Sequence, residues 1–526
     1  MQLSLKISIT KVRAVAMHII KEEELGPLIQ PDLCDFISLS SAMKDLSHNN
    51  IPRQMIGRLL LEASKCEEML DAYGASRNEY WAPVRMAVAV AKAFSRVIYN
   101  LFHISQSADG YNLLPVEGNF SDATLESLHM LLKAFSNASG NFMKVARKMK
   151  LDKELIPIES YGFHNRSIDC RLKENRKRRI VQNPSETAVY LATNLLNLAE
   201  ESNWLGIYKK LKPEEYDSCI PDTISEAQLR NLANKFHTLQ SMYDTYLTGS
   251  DIAERDENLP IMRGQITVIF HLLDTAETLV HYYERHTLKN WTKKLKAPIS
   301  NKELLRIIIG YFITFSDRYI SAAQELCRRI LKSYAVQGEI EVPIPNYRGF
   351  HVRPSTLIAK IAIHYGSEVI MILGKTSYNA SLPLELFRAN EELNRRKRDA
   401  VARYVMEHKL IINDAGATYD APLMKKILRV IFLDLLEKQK IMIYDNDFSF
   451  EDLSPYENET LAEFIKRGIA LYLAMGKIDI VSGDTVLFQG DMRVLEDIRC
   501  LAENGYGEDK FGNNIVLPRN LSYLKR

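Results

Sequence analysis

The sequence predicts an α+β multidomain protein. A mainly α-helical region over residues 1–335 precedes a mixed α+β domain over 336–475, and a C-terminal extension follows over 476–526. Two observations predict this. Apolar residues recur at helical spacing through the first part of the chain. Near Gln337-Gly338 the pattern switches to period-two alternation, and short strands then alternate with amphipathic helices.

In the first part, Met55 to Ala72 places Ile56, Leu59, Leu60, Ala63, Met69 and Leu70 on helical intervals, and Tyr80 to Phe102 continues with Val84, Ala87, Val88, Ala91, Phe94, Val97 and Ile98. Further helices are predicted over 123–149, 185–210, 225–247, 261–296 and 301–335. Ser121-Asp122 and Pro184-Ser185-Glu186 are opening signals, and Gly110, Pro115, Pro157, Gly162 and Pro213 punctuate the intervals. Without a repeat at solenoid periods, this reads as one helical bundle or two stacked ones.

In the second part, Glu339 to Ile344 alternates Ile340, Val342 and Ile344 against polar positions, a strand signal. Glu368 to Leu373 and Thr376 to Ala380 read as strands joined by a tight turn at Gly374-Lys375, and Lys440 to Tyr444 reads as a fourth. Leu357 to His364 and Leu461 to Ala474 read as helices. The order is strand, helix, strand, strand, short helix, an insertion over about 390–438, strand, helix, which suits an α+β open sandwich.

Composition excludes several function classes. Lys+Arg (68) nearly balances Asp+Glu (66), so no basic excess argues for nucleic acid. The six cysteines form no CxxC pair and do not cluster with histidines, which argues against a disulfide framework or a cysteine zinc site. No apolar run reaches the ~20 residues a bilayer requires. The N-terminus shows no apolar signal core, so the expectation is a soluble cytoplasmic protein without a membrane span.

The motif that carries chemistry is Gly349-Phe350-His351-Val352-Arg353-Pro354-Ser355-Thr356. Gly349 permits a tight turn after a strand, and Pro354 suits the first turn of a helix, where its missing N–H costs nothing. His351 therefore stands just before a helix N-terminus, whose unpaired N–H groups form an anion site. Arg353 adds a fixed cation for phosphate oxygens. A neutral imidazole beside donors for incoming negative charge is the arrangement a phosphohistidine relay requires.

This motif resembles the active-site loop of the HPr phosphocarrier family, the histidine-containing carrier of the phosphoenolpyruvate-dependent sugar phosphotransferase system. The resemblance extends to His364-Tyr365-Gly366-Ser367-Glu368-Val369, to the Gly374-Lys375 turn, and to Ser381, which falls where the family has a regulatory serine. It implies an open-faced sandwich, a four-stranded antiparallel sheet covered by three helices. It also implies that His351 accepts phosphate on Nδ1 and that Arg353, with backbone N–H groups near Val352, Arg353 and Pro354, stabilises the phosphoryl group. An enzyme I-like donor and an enzyme II-like or regulatory acceptor are the implied partners. The chain would then be a phosphocarrier, not an enzyme with independent turnover, and the motif itself demands no cofactor or metal. Phe350, Val352, Ala380 and Pro383 depart from the family pattern. The alternative is a docking module in a helical adaptor or regulatory protein, without relay chemistry. Oligomeric state is not readable from the sequence.

Other features carry less. Lys173 to Arg179 is the densest basic run and reads as a solvated segment in a balanced chain. Ile156-Pro157 through His164-Asn165-Arg166 echoes the His351 motif but lacks the apolar helix and strand after it. His271, Glu277, His281 and His286 share one predicted helix without Glu-x-x-His spacing and read as a polar edge. Gly505-Tyr506-Gly507-Glu508-Asp509-Lys510-Phe511-Gly512 reads as turns in a wrapping extension, not a nucleotide loop.

Overall fold

The computed structural model describes residues 19–45, 51–163, 183–287, 297–408, 419–444, 450, 453–481 and 483–525. The chain divides into two compact units, one of residues 1–181 with 202–322 and the other of residues 182–201 with 323–526. Neither boundary sits at residue 335: a helix from the middle of the chain and the whole C-terminal segment belong to the second unit.

The first unit is helical. It contains α1 (Glu22–Asp45), α2 (Arg53–Ala72), α3 (Ala82–Ser107) and α4 (Phe120–Lys148). The next helix in the chain, α5 (Pro184–Glu201), belongs to the second unit. After it come α6 (Glu226–Tyr246), α7 (Asp251–Arg255), α8 (Asn258–Tyr282), α9 (Asn301–Ile307) and α10 (Thr314–Ser333), the last crossing from one unit into the other. The sequence did not announce α1, because Pro27 and Pro31 lie inside it. Leu25, Ile29, Leu33 and Phe36 still fall on one buried face, so burial outweighs the lost backbone bonds. α8 is buried around most of its circumference and packs against α3 and α6. Two of the residues weighed as a metal edge, Glu277 and His281, join an ion network instead, while His271 packs against the His103 ring. Arg230 bonds Glu226 and Glu277, and His281 Nδ1 lies 2.9 Å from Glu226. The His286 side chain lies outside the described residues.

The second unit is α+β. Its sheet has four antiparallel strands in the order β1 (Gln337–Pro343), β6 (Thr485–Asp491), β2 (Ile370–Leu373), β3 (Thr376–Asn379). Ile340 stands opposite Phe488, and Phe488 opposite Met371, so one face presents a buried apolar row. The other face carries exposed Glu339, Glu341, Thr485 and Gln489. Three helices serve the buried face: α11 (Val352–Tyr365), α12 (Pro383–Glu407) and α15 (Met492–Glu503). α15 packs on β1 and β6, α12 on β3, and α11 on the other two helices.

The last strand and helix are a correction to the sequence reading. Lys440 to Tyr444 does not join this sheet. Its strand, β4 (Ile441–Ile443), pairs with β5 (Ile478–Ile480) in a separate two-stranded sheet. The closing strand comes from the segment read as an extension, where Val486 and Phe488 alternate with Thr485 and Gln489. The excursion between the sheet's third and fourth strands therefore runs beyond residue 438, up to β6. It holds the distal part of α12, then α13 (Ala421–Glu437), β4, α14 (Leu461–Ala474) and β5. It has its own core, built on Val401, Leu428, Phe432, Phe464, Ile469 and Ile480.

α5 and the C-terminal turns at Arg519–Lys525 clasp the end of α11. His364 Nε2 lies 2.8 Å from Asn197 Oδ1, and Tyr523 stacks on its ring at 4.1 Å. Tyr365 and Tyr523 hydroxyls both donate to Asp497, whose carboxyl is nonetheless pushed upward by burial. Burial, with Arg328 adding to it, holds His364 down at about 4. The folded value lies below the ordinary 6.5, so this clasp is at full strength above pH 6.5 and weakens as pH falls toward 4. The linked loss is on the order of 3 kcal/mol. Urea unfolding at pH 7 and pH 5 should show about 2 kcal/mol of this loss in the wild type and a clearly shallower pH dependence in His364→Gln. Equal slopes would contradict the assignment.

Candidate phosphoacceptor site

The site begins with a turn that two side chains hold. Arg348 and Gly349 both take positive φ, +52 and +61 degrees. Such angles are costly for arginine. Asp479 Oδ2 accepts the Arg348 N–H at 3.1 Å, and Asn390 Nδ2 donates to the Arg348 carbonyl at 2.8 Å. Asn390 Oδ1 accepts the Phe350 N–H at 2.7 Å, and a Cβ on Gly349 would lie 2.4 Å from that oxygen. Glycine is therefore required there on both counts. Phe350 is fully buried, edge-on to Tyr506, and anchors the turn.

His351 is the N-cap of α11, with extended backbone and no side-chain capping bond. Its Nε2 lies 2.8 Å from Glu508 Oε2, and Glu508 is only 7% exposed. An ionised carboxylate can only accept, so Nε2 carries the proton and the Nδ1 lone pair is left available. Nδ1 has no hydrogen-bond partner among the described residues. Arg353 Nε stands 3.7 Å from the other oxygen of Glu508, which brings the guanidinium beside the ring. The N–H groups of Val352 and Arg353 open the helix and find no acceptor among the described residues, and Pro354, buried in the same first turn, has none to offer. Ser355 Oγ donates to the Phe350 carbonyl and closes the turn against the helix. Tyr347 stands edge-on to His351 at 5.5 Å, and Tyr444, beyond β4, stands at 4.9 Å from Tyr347.

Glu508 is the residue sequence reasoning missed. It is 157 positions from His351 and sits in the glycine-rich segment read as a wrapping tail. Gly512 shows what that segment needs: its φ is +85 degrees, and a Cβ would lie 2.6 Å from the Tyr347 ring. Close approach of this loop to the turn is the reason for Gly512, although no spacing rule links it to a histidine.

The second anchor is a buried ion pair. Lys397 Nζ lies 2.7 Å from Asp479 Oδ1, with the two side chains 5% and 4% exposed. Lys397 belongs to the basic run 395–398, the rest of which stays outside: Arg395 and Arg396 pair with Glu392.

The remaining predicted positions separate. Val352 is the first helical residue and 71% exposed, so its bulk faces outward at the start of α11. Ser381 does not cap α12. The N-cap is Leu382, Pro383 follows at the first helical position, and Ser381 donates its N–H to Asn379 Oδ1. His164 and the run 173–179 lie outside the described residues. Among the described residues no three metal-ligating side chains converge, and no helix is long and apolar enough to cross a membrane.

No family model matches the chain, and no curated protein or solved structure matches it.

Two outcomes follow. Glu508→Gln should raise the fraction of His351 protonated on Nδ1, read from the imidazole 15N shifts; unchanged shifts would mean that Glu508 does not set the tautomer. Lys397→Met leaves a buried carboxylate without its cation and should cost about 3–5 kcal/mol in urea unfolding. Adding Asp479→Asn should recover part of that loss, and no recovery would contradict a charge-based penalty.

Proposed function

We propose that the chain is a phosphohistidine carrier or regulatory phosphoacceptor of the HPr type, with His351 receiving a phosphoryl group from an enzyme I-like phosphohistidine protein. The observation that carries this reading is the division of labour on one ring. Nε2 is held by Glu508, which Arg353 Nε also approaches at 3.7 Å, while Nδ1 has no partner among the described residues and His351 itself caps a helix whose first two N–H groups are open. A four-stranded antiparallel sheet with three helices, in the element order of the resemblance, adds support.

The chemistry balances as follows. The Nδ1 lone pair attacks phosphorus, the donor's P–N bond breaks, and its electron pair returns to the donor imidazole. The accepting ring keeps its proton on Nε2 and becomes formally cationic. Glu508 stabilises that cation through the existing hydrogen bond, and the helix N–H groups with Arg353 receive the phosphoryl oxygens. Onward transfer to an enzyme II-like or regulatory acceptor reverses these steps. Leu384 and Phe387 are exposed on the first turns of α12, one or two turns from Asn390 in the same helix, and supply apolar surface for such protein partners.

The alternative is a docking module without relay chemistry. Exposed Val352 at the mouth of the site favours it, since a branched side chain there narrows the path of a donor.

One assay separates the two. The purified chain, with phosphoenolpyruvate, magnesium and an enzyme I shown active on an ordinary phosphocarrier, should gain one acid-labile phosphate by intact mass. His351→Ala should gain none, and Glu508→Gln should be labelled about 10- to 100-fold more slowly. An unlabelled wild type would end the relay reading and leave the docking module.

A further inference from the structure

The excursion contains a helix with two apolar faces. One face of α13 (Met424, Leu428, Ile431, Phe432 and Leu435) fills the excursion's core. The opposite face is exposed, with Leu423 at 43%, Val430 at 60% and Leu433 at 57%. Lys426 and Glu437 complete the row, both exposed. Positions 423, 426, 430, 433 and 437 follow alternating steps of three and four, the spacing of a coiled-coil seam.

The charges along this seam are ordered. The basic Lys426 and Arg429 lie in the N-terminal half, and the acidic Asp434 and Glu437 in the C-terminal half. Lys426, Arg429 and Glu437 make no ion pair among the described residues, while Asp434 receives the Tyr404 hydroxyl. Lys426 and Glu437 are equidistant from the midpoint between Val430 and Leu433. The pattern is therefore self-complementary only when the helix meets its own copy running in the opposite direction. In that register Val430 faces Leu433 of the second copy, Lys426 faces Glu437 of the second copy, and the two-fold axis repeats both contacts. A parallel pair would set lysine on lysine. Opposed macrodipoles favour the antiparallel arrangement as well.

We infer that α13 is a homodimerisation helix and that the chain forms an antiparallel, two-fold pair through Leu423, Lys426, Val430, Leu433 and Glu437. The seam from Lys426 to Glu437 spans only about 16 Å of helix. One such seam falls short of the ~1,600 Å² of a standard stable interface, so the pair is a weak one in the micromolar range. This inference does not depend on the chemistry of His351.

Sedimentation velocity of the full chain, from about 1 to 200 µM in low salt, tests it at the concentrations where a micromolar pair forms. The expected result is a concentration-dependent shift from the 60.3 kDa monomer toward a dimer. Val430→Glu, at an exposed position, should weaken dimerisation at least ~10-fold with unchanged circular dichroism. Lys426→Glu and Glu437→Lys should each weaken it by like-charge contact, and the double exchange should return it to within about threefold of the wild type. A monomer throughout the range would overturn the proposal. So would a dimer indifferent to Val430→Glu, or one that the double exchange fails to restore.

Discussion

The buried Lys397–Asp479 pair is the constraint around which the second unit is organised. Each charge alone would cost several kcal/mol to remove from water, and their mutual attraction offsets this only when the leftover hydrogen-bonding capacity is used. Here it is used. Asp479 Oδ1 receives Lys397 and the Ile480 N–H, and Oδ2 receives the N–H of Arg348. That last bond matters most for the site. It gives a non-glycine residue at positive φ a partner inside the protein, and so makes the left-handed turn before His351 a consequence of packing in the excursion. Arg348 also donates its guanidinium to the Gly476 carbonyl, next to the start of β5. The turn is thus bonded to the excursion twice, through the N–H and the guanidinium of one residue. Loss of the ion pair would release the turn as well as the core beside it.

Two opposing influences act on the histidine that follows. The N-terminus of α11 and Arg353 attract an anion, yet Glu508 is itself an anion within hydrogen-bond distance of the ring. They coexist because Glu508 addresses Nε2 and is itself approached by Arg353, whereas the two open N–H groups of α11 take no part in that contact. The carboxylate fixes the proton on Nε2, and the open donors are left for whatever is bound at Nδ1. The same carboxylate also faces the charge that would develop on the ring when Nδ1 forms a bond. An imidazole at a bare helix N-terminus would have neither a defined tautomer nor a counter-charge, and its orientation would rest on packing against Tyr347 alone.

What the sequence revealed, and what it hid, divides by the range of the interactions. Gly349, His351, Arg353 and Pro354 were legible because turn, cap and first helical turn are local, and residue chemistry decides them within a few positions. The hairpin at Gly374-Lys375 was legible for the same reason. The closing strand was not. Thr485 to Asp491 has the right alternation, but turn-forming Ser482-Gly483-Asp484 precedes it in the segment read as an extension, and Lys440 to Tyr444 had already filled the fourth place. Nothing local distinguishes a strand that joins the main sheet from one that pairs within an insertion; only the tertiary partner does. α1 stayed hidden behind Pro27 and Pro31, whose local penalty is outweighed by a buried face. Glu508 had no local signal at all, since its meaning comes from contact with a residue far away in the chain.

The position of the excursion bears on how such a sheet can close. Pro343 at the end of β1 pairs with Thr485 at the start of β6, so about 140 residues of chain lie between partners that must meet. A flexible loop of that length carries a closure cost, and strand pairing over such separations is slow. The intervening chain is not flexible, however. Much of it folds on its own core of Val401, Phe432, Phe464 and Ile480, and β4 pairs with β5 so that the exit, at Ile480, lies beside residues that precede it by about 40 positions. The chain leaving β5 reaches β6 after a few residues. The folded excursion shortens the effective loop, and β6 fills the gap between β1 and β2. Asp479 lies on β5 at that exit, so the residue that holds the turn at Arg348 stands a few positions before the closing strand. The turn before His351 and the sheet beneath it both rest on an excursion that interrupts the domain in sequence and supports it in space.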